Sequence, residues 1–269
     1  MTVRWLARGL DEVPPGDLWL SGGERERVAA MRFAKRRTEF LVSRFAAKLA
    51  IAGALDRPTD DPRTLADIEI RRKPTGAPAP FVDGERADLS MSQTDRADWA
   101  VCVVRRGSPV ALGCDLELLE PRSPGFVRDY LTAAEHAAVA ASREPDLVAN
   151  LLWSAKESAL KVLETGLRRD TRSVEVTLLT SGTGTDGATD ASDPADAPDA
   201  AVGTTQDVWH PLEVRPVEGG VFPGWWQRAG MFLLSVVTSA PTGPPRTVDR
   251  PPGLAAALPT HRWMDDLGD

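Results

Sequence analysis

Two helix-start signatures, Ser21-Gly-Gly-Glu24 and Thr132-Ala-Ala-Glu135, constrain most strongly what this chain can fold into. In each, a hydroxyl residue and a glutamate three positions later satisfy each other's orphan amides, which marks a helix N-terminus. After the first, Val28, Met31, Leu41, Phe45 and Leu49 recur along one long helical region ending near Gly53. An alternating strand from Ile68 follows, halted by Pro74, and then Asp88–Thr94 and Trp99–Val104 read as a hairpin. The pattern then begins again. Residues 110–119 form a strand, Thr132 opens a helix, residues 146–164 form a stronger one closed by Gly166, and further strands are expected over 173–180, 208–217 and 229–238. Both halves, 1–107 and 108–240, therefore read as helix followed by hairpin strands, an α+β architecture with an internal duplication.

Composition enters where it excludes alternatives. With 42% hydrophobic and 26% charged residues, the chain is neither fully disordered nor fibrous nor membrane-embedded. No apolar run, Met231–Leu234 included, approaches the roughly 20 residues that a spanning helix needs. No secretory segment opens the sequence, and Cys102 and Cys114 alone cannot build a disulfide framework, so a reducing cytoplasm is the expected compartment. The net charge of -7 is concentrated: residues 181–206 carry five aspartates and no Lys or Arg, and read as a disordered excursion between two strands. The proline-rich tail, 241–269, is expected to pack poorly.

The opposite charge gathers in residues 24–48, where eight cations face three glutamates. Arg37, Arg44 and Lys48 share one helical stripe with Leu41, either as a solvated basic face or as an anion-seeking surface. A nucleic-acid binder would spread basic excess over a whole domain, and this chain does not.

Strand alternation sends Asp115 and Glu117 to one face, with Cys114, Leu116 and Leu118 on the other. Two adjacent carboxylates are either an exposed polar strand face or a site for a hard cation such as Mg²⁺. On the 146–164 helix, Val148, Leu152, Ala155, Ala159 and Leu163 form the buried seam, while Trp153, Glu157 and Lys161 make a neighbouring stripe. That stripe reads either as a surface ion pair beside an aromatic residue or as a third carboxylate with a phosphate-binding lysine. His136, His210 and His261 lie apart from these carboxylates, and no Gly-x-Ser-x-Gly turn supports serine catalysis.

The order of these motifs resembles that of the Sfp-type 4′-phosphopantetheinyl transferases. Gly113-Cys-Asp-Leu-Glu117 and, about forty residues on, Trp153-Ser-Ala-Lys-Glu-Ser-Ala-Leu-Lys161 are similar to the two signature motifs of that family. Upstream, Phe40-Leu-Val-Ser-Arg44 with Lys48 resembles its Arg-bearing first helix, Lys73-Pro74 its Lys-Pro turn, and Leu89-Ser-Met-Ser-Gln-Thr94 its Asn-x-Ser-His-Ser strand. The likeness spans roughly 20–240 without 181–206.

The resemblance implies two similar α+β halves in a pseudo-twofold arrangement, a monomer containing an internal pseudo-dimer, with coenzyme A in the cleft between them. It implies Mg²⁺-dependent transfer of phosphopantetheine to a serine of an apo acyl or peptidyl carrier protein, as in polyketide or nonribosomal peptide assembly, with release of 3′,5′-ADP. Asp115, Glu117 and Glu157 match the metal carboxylates, Glu157 the general base and Lys161 the pyrophosphate lysine. Lys73, Ser92, Gln93 and Thr94 match positions around the 3′-phosphoadenosine, and Arg44 and Lys48 match basic positions of the first helix. Lys156 is assigned beside them, although it points away from Lys161. Gln93 stands where the family has His, Thr94 where it has Ser and Ser90 where it has Asn. The Gln93 departure keeps open a non-catalytic coenzyme A-binding homologue; a Mg²⁺-dependent phosphohydrolase would share only the carboxylates.

Overall fold

The structure is a computed structural model that describes residues 2–107, 110–179, 208–248 and 253–259. The expected excursion at 181–206 lies outside the described residues.

Four layers stack across the molecule. The first is the helix α2 (Ala34–Ala54), whose apolar side packs on one sheet with Leu6, Ala100, Cys102 and Val104. That sheet has the order β12 (Arg246–Thr247), β1 (Arg4–Gly9), β6 (Trp99–Arg106), β5 (Leu89–Arg96). Its other face offers Trp5, Val101 and Val103 to Cys114, Leu116, Leu118, Phe232 and Leu234 of a second sheet, in one central core. The second sheet runs β7 (Leu112–Leu118), β11 (Phe232–Thr238), β10 (Phe222–Ala229), β9 (His210–Pro216), β8 (Val174–Leu178). Its far face is covered by α6 (Pro145–Val162) through Val148, Leu152, Ala155 and Ala159. The period-2 alternation of the strands thus builds two cores from each sheet. The hairpin β2 (Ile68–Arg72), β3 (Pro78–Val82) and β4 (Glu85–Arg86) stands as a small third sheet. No described helix is long and apolar enough to cross a membrane.

The expected continuous helix after Ser21 is two helices, α1 (Gly22–Ala29) and α2. In one straight helix Glu24 and Lys48 would stand roughly 36 Å apart at 1.5 Å per residue. With the break, Glu24 folds back to place Oε2 at 2.7 Å from Lys48 Nζ, and Oε1 at 3.4 Å from Arg44 Nε. Lys48 also donates to the carbonyls of Leu65 and Ile68, and Glu24 Oε1 accepts from the Ile70 amide. The second half repeats this unit. Glu135, at the head of α5 (Ala133–Ala141), pairs with Lys156 at 2.8 Å; Lys156 donates to the carbonyls of Thr171 and Val174, and Glu135 Oε1 accepts from the Val176 amide.

Beyond the two-residue β4 and β12, three strands were not legible in the sequence: β1, the proline-bearing β3, and β10, which pairs with both β9 and β11. The tail also departs from expectation. Arg246 and Thr247 extend the first sheet in parallel with β1, the Arg246 and Val248 amides donate to Val3 and Trp5 carbonyls at 2.9 Å, and Leu254 is buried in the central core. Its prolines signal poor packing, but the few apolar residues between them find the edge of the sheet.

Candidate active site

Gly113 explains how the carboxylate strand meets its helix. A Cβ there would lie 1.8 Å from the Ser158 carbonyl oxygen, so only glycine lets α6 approach β7 this closely. Ser154 and Ser158 each lie 2.8 Å from the Ser235 hydroxyl, and Ser154 Oγ donates to the Asp115 carbonyl at 3.2 Å, pinning helix to strands. The Trp153, Glu157 and Lys161 stripe thereby faces the polar side of β7, as its spacing predicts.

Lys161 Nζ donates to Asp115 Oδ1 at 2.9 Å and to the Cys114 carbonyl at 2.8 Å. Burial opposes the Lys161 charge, but Asp115 and its neighbours more than offset this and raise its pKa. Thr94 donates to the same Asp115 oxygen at 3.3 Å. Burial, then Asp115, raises the Glu117 carboxyl above its ordinary range, and burial with the adjacent Asp115 pushes Glu157 up to about 7. Asp115 Oδ2 and Glu157 Oε1 are buried with no hydrogen-bond partner. Hard anionic oxygens left unsatisfied in this way suit a divalent cation such as Mg²⁺. Among the described residues, no three His, Cys, Asp or Glu side chains converge as a ready ligand set.

Beside this cluster a cleft of about 950 Å³ runs between the halves, with Lys161 at the junction. Arg44, Arg71, Arg72, Lys73 and Arg86 line it from the first half, and Lys161 and Arg168 from the second. Lys73 pairs with Glu164, which also accepts from Thr75 Oγ1 at 2.8 Å, so the two halves clasp across the cleft. An adjoining basin of about 510 Å³ adds Arg27, Arg32 and Arg36 and shares Arg44, Arg72 and Gln93 with the cleft. The basic excess of residues 24–48 thus faces a concave surface that selects anions. Arg44, its pKa lowered to about 10 by burial despite Glu24, lies 4.5 Å over the Phe40 ring.

Several expected site residues are placed otherwise. Lys48 and Lys156 are fully buried, line neither cavity, and are spent on Glu24, Glu135 and backbone carbonyls. The stripe of three cations with Leu41 could not show that this part of α2 faces inward. Thr94 is absent from the cleft wall: its hydroxyl accepts from the Leu116 amide at 3.4 Å and braces Asp115. Ser92 lines the cleft, but its oxygen accepts from the Cys114 amide at 3.1 Å, joining β5 to β7. Gln93 lines both cavities, with a buried, unpartnered Oε1. Arg71, Arg72, Arg86 and Arg168 were missed; the only signal was the run Arg71-Arg72-Lys73 ahead of Pro74.

Residues 111–197 match the family model of the 4′-phosphopantetheinyl transferase superfamily, the segment that carries Asp115, Glu117, Glu157 and Lys161. Among solved structures, the chain is similar to a holo-(acyl-carrier-protein) synthase from Bacillus anthracis in complex with coenzyme A (3′,5′-ADP), at 23% identity and a TM-score of 0.33, over 40% of this chain and 96% of that one. No curated protein matches.

Proposed function

We propose that this chain is an Sfp-type transferase that moves 4′-phosphopantetheine from coenzyme A to a serine of an apo acyl or peptidyl carrier protein. The observation that carries this reading is the junction at Lys161: a strongly basic cleft able to take a polyphosphate ends on carboxylates with unsatisfied oxygens, inside the segment matched by the family model. The two halves, each built on the same Lys–Glu unit, would be pseudo-twofold related, with coenzyme A between them.

Asp115 and Glu157, with Glu117 alongside, would hold Mg²⁺, which when bound supplies positive charge to the pyrophosphate. Arg44, Arg72 and Gln93, common to both cavities, would receive the 3′-phosphoadenosine, and Lys73 would exchange Glu164 for a phosphate oxygen. The carrier's serine oxygen attacks the phosphorus bearing pantetheine, Glu157 takes the hydroxyl proton, and the bond to the 3′,5′-ADP oxygen breaks. Lys161 neutralises charge on that leaving group.

The test is incubation of the protein with coenzyme A, Mg²⁺ and an apo carrier domain, followed by mass spectrometry of the carrier. A phosphopantetheine increment on serine is expected. Phosphate release without it would point to a phosphohydrolase, and coenzyme A binding with neither product to a non-catalytic homologue.

A further inference from the structure

Glu164 places a carboxylate in the wall of a cleft that attracts anions, where the seven lining cations are joined by only one other acidic residue, Asp88. It follows the end of α6 with φ +53°, the left-handed conformation that glycine adopts freely and glutamate resists. The Glu164 and Thr165 amides donate to the Lys161 and Leu160 carbonyls, each at 3.1 Å, so α6 ends in the Schellman pattern, whose left-handed residue is usually glycine. A carboxylate at this point also meets the negative end of the α6 dipole. Backbone conformation and helix electrostatics therefore both disfavour a glutamate at 164.

What offsets these costs lies across the cleft. Glu164 Oε1 pairs with Lys73 Nζ and its Oε2 accepts from Thr75 Oγ1 at 2.8 Å, while Arg168 Nη2 donates to the Thr75 carbonyl at 3.0 Å and to the Glu164 carbonyl at 3.3 Å. Lys73 and Thr75 belong to the β2–β3 turn, in which the Gly76 amide donates to the Lys73 carbonyl at 2.9 Å. One carboxylate thus takes an ammonium and a hydroxyl together, the two donors that a pair of phosphate oxygens would take. The Lys73 hydrogen bond holds the Glu164 carboxyl below its ordinary range against the opposing effect of burial, so it is charged at neutral pH. While it stays, Lys73 is neutralised and an incoming phosphate meets a like charge.

We propose that Glu164 is a built-in stand-in for phosphate, which closes the cleft by occupying Lys73 and Thr75 until a phosphate-bearing ligand displaces it. The left-handed backbone and the helix dipole keep the contact weak enough to give way, and Arg168 still holds the turn by the Thr75 carbonyl when the carboxylate leaves. This rests on the transferase reading above, which brings phosphates into the cleft. It adds a residue of this chain that competes with them, and the same contact re-forms behind a departing 3′,5′-ADP.

The test is calorimetric titration of the full chain with 3′,5′-ADP in EDTA at low salt, without carrier so that no turnover occurs. Glu164→Gln should bind this probe about three- to fivefold more tightly than the parent, the range of a partly exposed ion pair, and the gain should shrink as salt is added. Glu164→Gly should show the same gain with a melting temperature no lower than the parent's, because glycine relieves the left-handed backbone; it serves also if Glu164→Gln does not fold. In a Lys73→Gln background the Glu164→Gln gain should fall below about 1.5-fold, since the lysine for which carboxylate and phosphate compete is gone. Unchanged or weaker binding in both Glu164 variants would make the contact a static clasp and overturn the proposal. Equal gains with and without Lys73 would do the same, and so would failure of the parent and both variants to bind the probe. Carrier modification is measured separately: a chain that binds 3′,5′-ADP in the expected pattern but modifies no carrier sinks the transferase reading and leaves the stand-in role of Glu164 in place.

Discussion

Lys156 Nζ lies 2.8 Å from Glu135 Oε2, with both side chains at most 1% exposed. Burial lowers the Lys156 pKa even with Glu135 beside it, so the pair survives only because two carbonyls and two amides complete its hydrogen bonds. Lys48 and Glu24 repeat the arrangement at 2.7 Å. Each unit ties a capping-box helix to a long helix and to the start of a strand; the Lys156 unit stays clear of the cleft, whereas Glu24 of the Lys48 unit also pairs with Arg44 in the cleft wall.

Replacing either lysine with Met should therefore strand a buried carboxylate and cost about 3–5 kcal/mol of stability. In Lys156→Met, coenzyme A affinity, measured by calorimetry well below the melting temperature, should change by less than about threefold. A large loss of affinity with unchanged stability would return Lys156 to the binding site.

Glu157 makes metal-free stability depend on pH. Its folded pKa of about 7 lies above the ordinary 4.5, so the folded state holds the proton more tightly than the unfolded chain. Stability is then fullest below pH 4.5 and is lost as pH rises through 7. The loss should be roughly 2 kcal/mol after allowing for partial exposure. In EDTA, the parent minus Glu157→Gln difference in unfolding free energy should fall between pH 5 and 7.5; a flat difference would refute the shift.

Gln93 presents an unpartnered buried oxygen to a basin lined with arginines. Gln93→His removes that orphan and adds a cationic donor when protonated. Below about pH 6.5 the apparent KM for coenzyme A should fall roughly 3- to 10-fold, with little gain for 3′-dephospho-coenzyme A. Equal gains for both donors would show that residue 93 does not face the 3′-phosphate.

Leu254 is 1% exposed in the core shared by the two sheets. Leu254→Ala should cost about 2–4 kcal/mol in denaturant unfolding. Removing residues 241–269 should cost at least as much, because the β12 pairing goes as well. A truncated chain as stable as the parent would mean that the tail contributes no packing.

Local chemistry was readable from the sequence: the capping boxes, the β5–β6 hairpin, the alternation on β7 and the one-sided stripe of Trp153, Glu157 and Lys161 are fixed by neighbours a few residues apart, and each stands where its period puts it. Tertiary structure decided what a charge is for. Lys48 and Arg44 share a stripe and both meet Glu24, which α1 folds back over α2 after Ala30, yet Lys48 is sealed there while Arg44 also reaches the cleft. Glu117 and Asp115 share a strand face, yet only Glu117 meets Arg96, brought in from β5 in the other half, together with Arg122 just past the end of its own strand. A side chain's burial and its partners depend on chain segments tens of residues away, and these arrive only when the sheets and helices pack.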